Sequence, residues 1–331
     1  MVDLETKIRI RSDWDIRSFV LKGIKEEGGF VNAHAHIDRA FTVRPETLHL
    51  ANATLQEKWL LVDEIKRESS VDQIYDRMAL CVERMLEGGA TALGTFIDVD
   101  EVIKDKAMIA GNRIRERYGR ELKIIFINQV LKGVLNPSAR KWFDMGAQFA
   151  DIIGGLPGRD KGREEEHLDI ILGTAKKLGK MVHVHVDQLN TSSETETELL
   201  VKKTVEHGMQ GRVVGIHGIS IAAHPKEYRY RLYRKMEDAG VMMISCPTAW
   251  IDSKRSEEYA PIHNAITPIE EMIPAGITVG LGTDNVADIY KPFTDGDMWT
   301  ELHFLLECCR YYDIENLINI ATKNGRQVLG L

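Results

Sequence analysis

The sequence predicts an α/β protein, a (β/α)8 TIM-type barrel, and three observations carry that expectation. Eight short apolar runs recur along the 331 residues, segments with helical periodicity separate them, and histidines or acids stand at the ends of several runs. The runs lie at 29–36 (GFVNAHAH), 91–98 (TALGTFID), 123–130 (KIIFINQV), 151–156 (DIIGGL), 181–187 (MVHVHVD), 213–218 (VVGIHG), 241–246 (VMMISC) and 278–284 (TVGLGTD). Their nearly continuous apolar character suits strands buried on both faces of a parallel sheet, and parallel strands require crossover connections.

The intervening segments supply those connections. Val71, Ile74, Tyr75, Met78, Val82, Met85 and Leu86 form one helical stripe, and Gly88 and Gly89 end it. Amphipathic stretches of the same kind occupy 101–118, 164–178, 196–208, 226–239 and 297–311. An open doubly wound sheet shares this periodicity, but eight strands favour the closed barrel. Ahead of the first strand, Asp13 is placed to cap a helix carrying Ile16, Phe19, Val20 and Ile24 on one side. The expected organisation is therefore an N-terminal segment, 1–28, that covers the barrel, and a barrel domain, 29–331. No linker, low-complexity tract or composition shift marks a second domain.

Composition narrows the function classes. Hydrophobic residues make up 44% and charged residues 28%, as in ordinary soluble proteins, and the formal charge of −7 argues against nucleic acid as a partner. No apolar run is long enough to cross a bilayer and the first residues are charged, so the expectation is a cytoplasmic protein without a membrane partner. Homo-oligomerisation is compatible with the composition. The four cysteines, Cys81, Cys246, Cys308 and Cys309, include no C-x-x-C pair and read as thiols. Cys246 follows a strand, yet nothing around it suggests a cysteine nucleophile.

His34 and His36 stand two residues apart at the end of the first run, so their side chains point the same way and can converge on one ion. That spacing alone is weak. It strengthens because His185, His217 and Asp284 also lie at or near the ends of their runs, on the barrel face where such folds keep active sites. Five convergent imidazoles and carboxylates are poor core material, since each is costly to bury without partners.

GFVNAHAHIDRAF resembles the first-strand motif of the amidohydrolase superfamily's cytosine deaminase-like branch, His-x-His-x-Asp followed by Lys and Phe, with Arg39 in the Lys position. KIIFINQ through MGAQFADIIGGLP resembles that branch's fourth and following strands, HVDQ and GIHG its fifth and sixth, and GLGTDNVADIYKP its eighth strand and loop. The resemblance implies one divalent metal ion, zinc or iron, held by His34, His36, His185 and Asp284, with His217 beside the reactive water. Asp284 is implied as the proton shuttle, and Gln129 as a substrate-binding amide. Asp288 and Tyr290 fall where the branch approaches substrate. Arg39, Trp250, Asp187 and Asn285 are further pocket candidates. The implied activity is hydrolysis on a small-molecule nitrogen heterocycle, at a ring amide or an exocyclic amino or alkylamino group.

Two departures qualify the implied activity. The branch's deaminases carry a glutamate three residues after the fifth-strand histidine, and this chain has Gln188, an amide that cannot pass the proton. The alternatives are a true cytosine- or triazine-like aminohydrolase tolerating Gln188, or a catalytically silent metal-binding barrel. The β-sandwich that most relatives build from both chain ends is expected to be missing. Among weaker candidates, His183 reads as packed and Lys132 as solvated. His49, His167, His207, His224, His263 and His303 read as surface or structural. The polar segment WIDSKRSEEYAPIHNAI is a candidate closing loop.

Overall fold

The computed structural model describes residues 15–249 with their side chains, the backbone of 250–252, and residues 266–331. Asp13, His263, the Trp250 side chain and most of the WIDSKRSEEYAPIHNAI segment therefore lie outside the described residues.

All eight expected strands form. They are β1 (Phe30–Ala35), β2 (Ala90–Asp98), β3 (Lys123–Gln129), β4 (Ile153–Gly155), β5 (Val182–Val186), β6 (Val213–His217), β7 (Met242–Ser245) and β8 (Val279–Leu281). Every ladder is parallel, in the order β1-β2-β3 and β4-β5-β6-β7-β8. Two isolated parallel bridges, Ile127 to Ile152 and Ala35 to Asp284, join these sheets at both seams and close the ring. β1 and β4 to β8 are buried along their whole length, as two-sided burial of a parallel sheet requires. The KIIFINQ run is β3, not a fourth strand, so Gln129 ends the third strand and Lys132 follows it.

Helices fill the connections. α1 (Ile16–Glu26) precedes the barrel, while α2 (Leu55–Glu68) and α3 (Val71–Glu87) both lie between β1 and β2. α4 (Lys106–Tyr118), α5 (Pro137–Phe149), α6 (Glu164–Leu178), α7 (Glu196–His207) and α8 (Lys226–Ala239) follow β2 to β6 in turn. The short α9 (Ile269–Met272) precedes β8, and α10 (Met298–Cys309), α11 (Ile314–Ala321) and α12 (Lys323–Val328) follow it. The cap of α1 is Asp15, whose carboxylate accepts from the Ser18 amide. Its apolar stripe is only half used: Val20 and Ile24 are buried, whereas Ile16 and Phe19 are exposed among the described residues.

Five helices, α2, α5, α9, α11 and α12, lie outside the stretches that periodicity marked. α5 is capped by Asn136, whose side-chain oxygen accepts from the Ser138 amide, with Pro137 at the first helical position. α2 opens on a capping box in which Thr54 and Glu57 satisfy each other's backbone amides. Leu55, Trp59 and Val62, at spacings of four and three, turn one face of α2 inward. Its far end is pinned by Lys66, buried to 3% exposure, whose ammonium lies 2.7 Å from Asp100 and 3.1 Å from Asp98. Removing one partner of a buried ion pair strands the other charge, at a cost of about 3–5 kcal/mol. Lys66→Met is therefore expected to lower the unfolding free energy by ~3–5 kcal/mol in urea denaturation, and a loss under 1 kcal/mol would contradict this anchoring.

Candidate active site

Closure of the ring brings the two ends of the chain's chemistry together. The Asp284 amide donates to the His34 carbonyl at 2.9 Å, and the His36 amide donates to the Asp284 carbonyl at 3.2 Å. Asn32 ties the same seam, accepting from the amides of His34 and Thr283 and donating to the Thr283 hydroxyl. This backbone register leaves Asp284 Oδ1 3.2 Å from His34 Nε2 and 3.1 Å from His36 Nε2. His185, in β5, and His217, the last residue of β6, complete the group from the opposite side: the His34 ring centre lies 5.0 Å from that of His185 and 5.7 Å from that of His217. Phe96 of β2 packs against this group, 5.0 Å from His34 and 4.7 Å from His185.

The five groups do not form one symmetrical set. They fall into two triads that share His34: His34, His36 and Asp284, and His34, His185 and His217, with the donor atoms of each triad within 4.8 Å of one another. All five side chains are buried, with His34 wholly so. Burial depresses the imidazole pKa values, that of His36 and His185 well below the ordinary range and that of His217 to about 3. Burial alone would raise Asp284, but the Lys291 ammonium and hydrogen bonds with His34 and His36 hold it well below the usual carboxylate range. The group therefore presents neutral imidazoles beside an ionised carboxylate. His217 and Asp284 also occupy left-handed backbone, φ 75° and 57°, conformations that cost a residue with a side chain about 1–3 kcal/mol and gather at functional sites.

These residues fit a divalent ion. The Nδ1 atoms of His34, His36 and His217 are buried without a hydrogen-bond partner, an expensive arrangement for a purely structural cluster. With its proton on Nδ1, facing the Gly155 carbonyl at 3.4 Å, His185 keeps its Nε2 lone pair available. Donors about 2.0–2.2 Å from a tetrahedral ion sit about 3.3 Å apart, close to the observed 3.1 and 3.2 Å between Asp284 and His36 and His34.

A cavity of about 30 Å³ opens onto this cluster, walled by His36, His185, His217 and Asp284 together with Arg39, Gln129, Gln188, Asn285, Tyr290, Leu55 and Trp59. That volume holds a water or two. A larger chamber of about 630 Å³ lies beyond it, and Leu55, Trp59 and Gln188 belong to the walls of both. Among the described residues, Leu55, Trp59 and Gln188 thus stand between the two spaces.

The remaining candidates divide. Gln129 accepts from the Val130 amide, so its side-chain N–H groups are its remaining donors. Arg39 reaches the cavity wall but is held by Asp98 at 3.3 Å and packs over the Tyr290 ring. Asp288 is not in the wall: its oxygens take Asn285 Nδ2 and the amides of Tyr290 and Lys291. Asp187 caps α7 through the Glu196 and Thr197 amides. His183 is buried against the Val328 carbonyl, as expected of a packed group, and Lys132 is paired with Asp63 rather than solvated. His167 is fully buried between Asp160 and the Leu156 amide. Sequence reasoning missed Leu55 and Trp59, for which the helical spacing was the available signal, and Lys291, which carried none.

A family model described as "Amidohydrolase family" matches residues 28–331. The chain belongs to the amidohydrolase family. Members of this family bind a divalent metal, and the histidine cluster described above is able to hold one. An uncharacterized protein of Haemophilus influenzae is 55% identical over 272 residues, covering 81% of this chain and 98% of that one. The N-isopropylammelide isopropyl amidohydrolase of a Pseudomonas species is 25% identical over 322 residues, covering 94% of this chain and 76% of the relative. The crystal structure of Klebsiella pneumoniae 5-methylcytosine deaminase liganded with 5-fluorocytosine superposes with a TM-score of 0.84 at 22% identity, covering 92% of this amidohydrolase and 75% of that chain. Among the described residues, no helix is long and apolar enough to cross a membrane.

The outer chamber carries one titrating wall. Burial, then the charges of Asp187 and Glu194, raises Glu196 from 4.5 to about 8. The folded state therefore binds more protons than the unfolded chain between these values, so stability falls as pH rises from about 4.5 to about 8. Glu196→Gln is expected to flatten that decline in thermal melts across this window, and an unchanged slope would count against it.

Proposed function

We propose that this protein is a metal-dependent hydrolase that cleaves a carbon–nitrogen bond of a small nitrogen heterocycle, at a ring amide or at an exocyclic amino or alkylamino substituent. The observation that carries the reading is the buried convergence of His34, His36, His185, His217 and Asp284, neutral imidazoles and one ionised carboxylate, on a small cavity at the strand ends. Its amidohydrolase relative acting on N-isopropylammelide supports the alkylamino branch.

His34, His36, His185 and Asp284 are the residues that would hold the ion, and nitrogen and carboxylate donors suit zinc or iron. When bound, a divalent ion lowers the pKa of water toward neutrality and polarises the bond under attack. Asp284 takes the proton from the attacking water and returns it to the departing nitrogen. His217, across the cluster from His36 and Asp284, donates to the oxygen on which charge develops at the tetrahedral stage. Gln129 donates from its amide to an acceptor on the ring, and Gln188 hydrogen-bonds the ring edge without carrying a proton. Leu55 and Trp59 exclude solvent over the bound ring, which strengthens each of these polar contacts.

The purified protein is expected to hold about one transition-metal ion per chain, to lose activity on chelation and to regain it with zinc or iron. His34→Ala is expected to retain less than a tenth of that metal by elemental analysis. It should also release no amine or ammonia from a panel of amino- and alkylamino-substituted pyrimidines and triazines. A wild-type protein without stoichiometric metal, or a His34→Ala variant equal to it, would defeat the proposal.

Gln188 separates the two enzymatic readings. Gln188→Glu should raise ammonia release from amino-substituted rings at least tenfold over wild type if ring-nitrogen protonation is the missing step. No gain, with alkylamine release unaffected, leaves Asp284 as the sole shuttle. A metal-replete wild type that binds ring compounds but turns over none would support the silent barrel instead.

A further inference from the structure

At the second carboxylate oxygen of Asp284 the loop after β8 buries a lysine. Lys291 has no exposed surface, and its ammonium lies 3.3 Å from Asp284 Oδ2, 3.0 Å from the Thr283 carbonyl and 3.0 Å from the Thr248 hydroxyl. Thr248, after β7, donates its hydroxyl to Glu301 Oε1 at 2.7 Å and its amide to Glu301 Oε2 at 3.0 Å. Glu301 lies on α10 and is only 2% exposed. The two Asp284 oxygens are thus divided: Oδ1 faces His34 and His36, and Oδ2 faces a fixed internal cation.

We propose that Lys291, backed by Thr248 and Glu301, is a positioning residue that acts as an internal counter-cation to Asp284, holding its Oδ2 so that only Oδ1 turns to the metal, and thereby weakening the grip of the site on its ion. The inference rests on the metal-dependent reading above and concerns the affinity and occupancy of that site rather than its chemistry. First, a lone carboxylate among neutral imidazoles would be an uncompensated buried charge in the metal-free protein, and Lys291 supplies the compensation at all times. Secondly, a fixed positive charge beside the same carboxylate repels an incoming divalent ion at low dielectric, where like charges a few ångströms apart interact strongly. Glu301 opposes that repulsion from behind. The hydrogen bonds of the Lys291 ammonium to Thr283 and Thr248 fix its direction, so it cannot swing aside as the ion enters.

Charge, not packing, makes the two ends of this row act oppositely, which a merely structural lysine would not do. The test is competition between the full-length protein and a chromophoric chelator for zinc alone at pH 8, with no substrate present, alongside melts of the metal-free protein. Lys291→Gln keeps hydrogen-bonding capacity but removes the charge, and is expected to bind zinc at least tenfold more tightly than wild type. Its metal-free form should melt lower, and saturating zinc should raise that melting temperature by more than it raises the wild type's. Glu301→Gln is expected to shift zinc affinity the other way, weakening it several-fold, and Lys291→Arg should stay near wild type. If Lys291→Gln does not fold, Glu301→Gln still decides the sign. Equal affinities in wild type, Lys291→Gln and Glu301→Gln, or shifts in the same direction, overturn the inference while leaving the metal site intact. A wild type that binds no zinc or iron overturns both.

Discussion

The seam between the first and last strands is the constraint on which the site depends. Two backbone hydrogen bonds, Asp284 to His34 and His36 to Asp284, join residues separated by about the whole barrel, and they do so at residues whose side chains belong to the buried histidine–carboxylate cluster. Because the register of a strand end cannot slip without reversing every side chain, this pairing fixes which atoms meet. The same register aims His34 and His36 inward together. Asp284 pays for its place with a left-handed backbone, as does His217 across the cluster.

Around that seam the protein arranges charge in layers. Neutral imidazoles face one oxygen of Asp284, and a buried lysine faces the other. A second belt, of Arg39, Lys66, Asp98, Asp100 and Asp288, lies under α2 and fastens it across the mouth. Each cation in this belt has a carboxylate at hydrogen-bonding or near-contact distance, which is what permits so many charges to be buried. The result is a small cavity lined in part by Leu55 and Trp59, whose helix is held by ion pairs at its far end.

How much of this was legible in the sequence follows from which forces are local. Strands buried on both faces leave continuous apolar runs, so all eight were readable, and α6 and α8 matched their periodic stretches to the residue. α5 and α2 were not, because their signals are caps and a broken stripe: Asn136 before Pro137, and Thr54 with Glu57. The 3-strand numbering of KIIFINQ was obscured because resemblance to a motif carries no strand count, whereas the ladder β1-β2-β3 does. Histidines at strand ends were visible as a group. Their division into two triads sharing His34 was not, since that depends on ring orientation across the barrel.

The sequence by itself determined the barrel class, the face on which the chemistry gathers and the residue types gathered there, because strand periodicity and two-residue spacing are properties of the chain alone. Only the tertiary structure decided that Asp284 is shared between histidines and Lys291, that Arg39 and Asp288 are engaged by neighbours, and that Trp59 lines the cavity. Those outcomes depend on contacts between segments far apart in the chain, where distance and burial, rather than local spacing, set the energy.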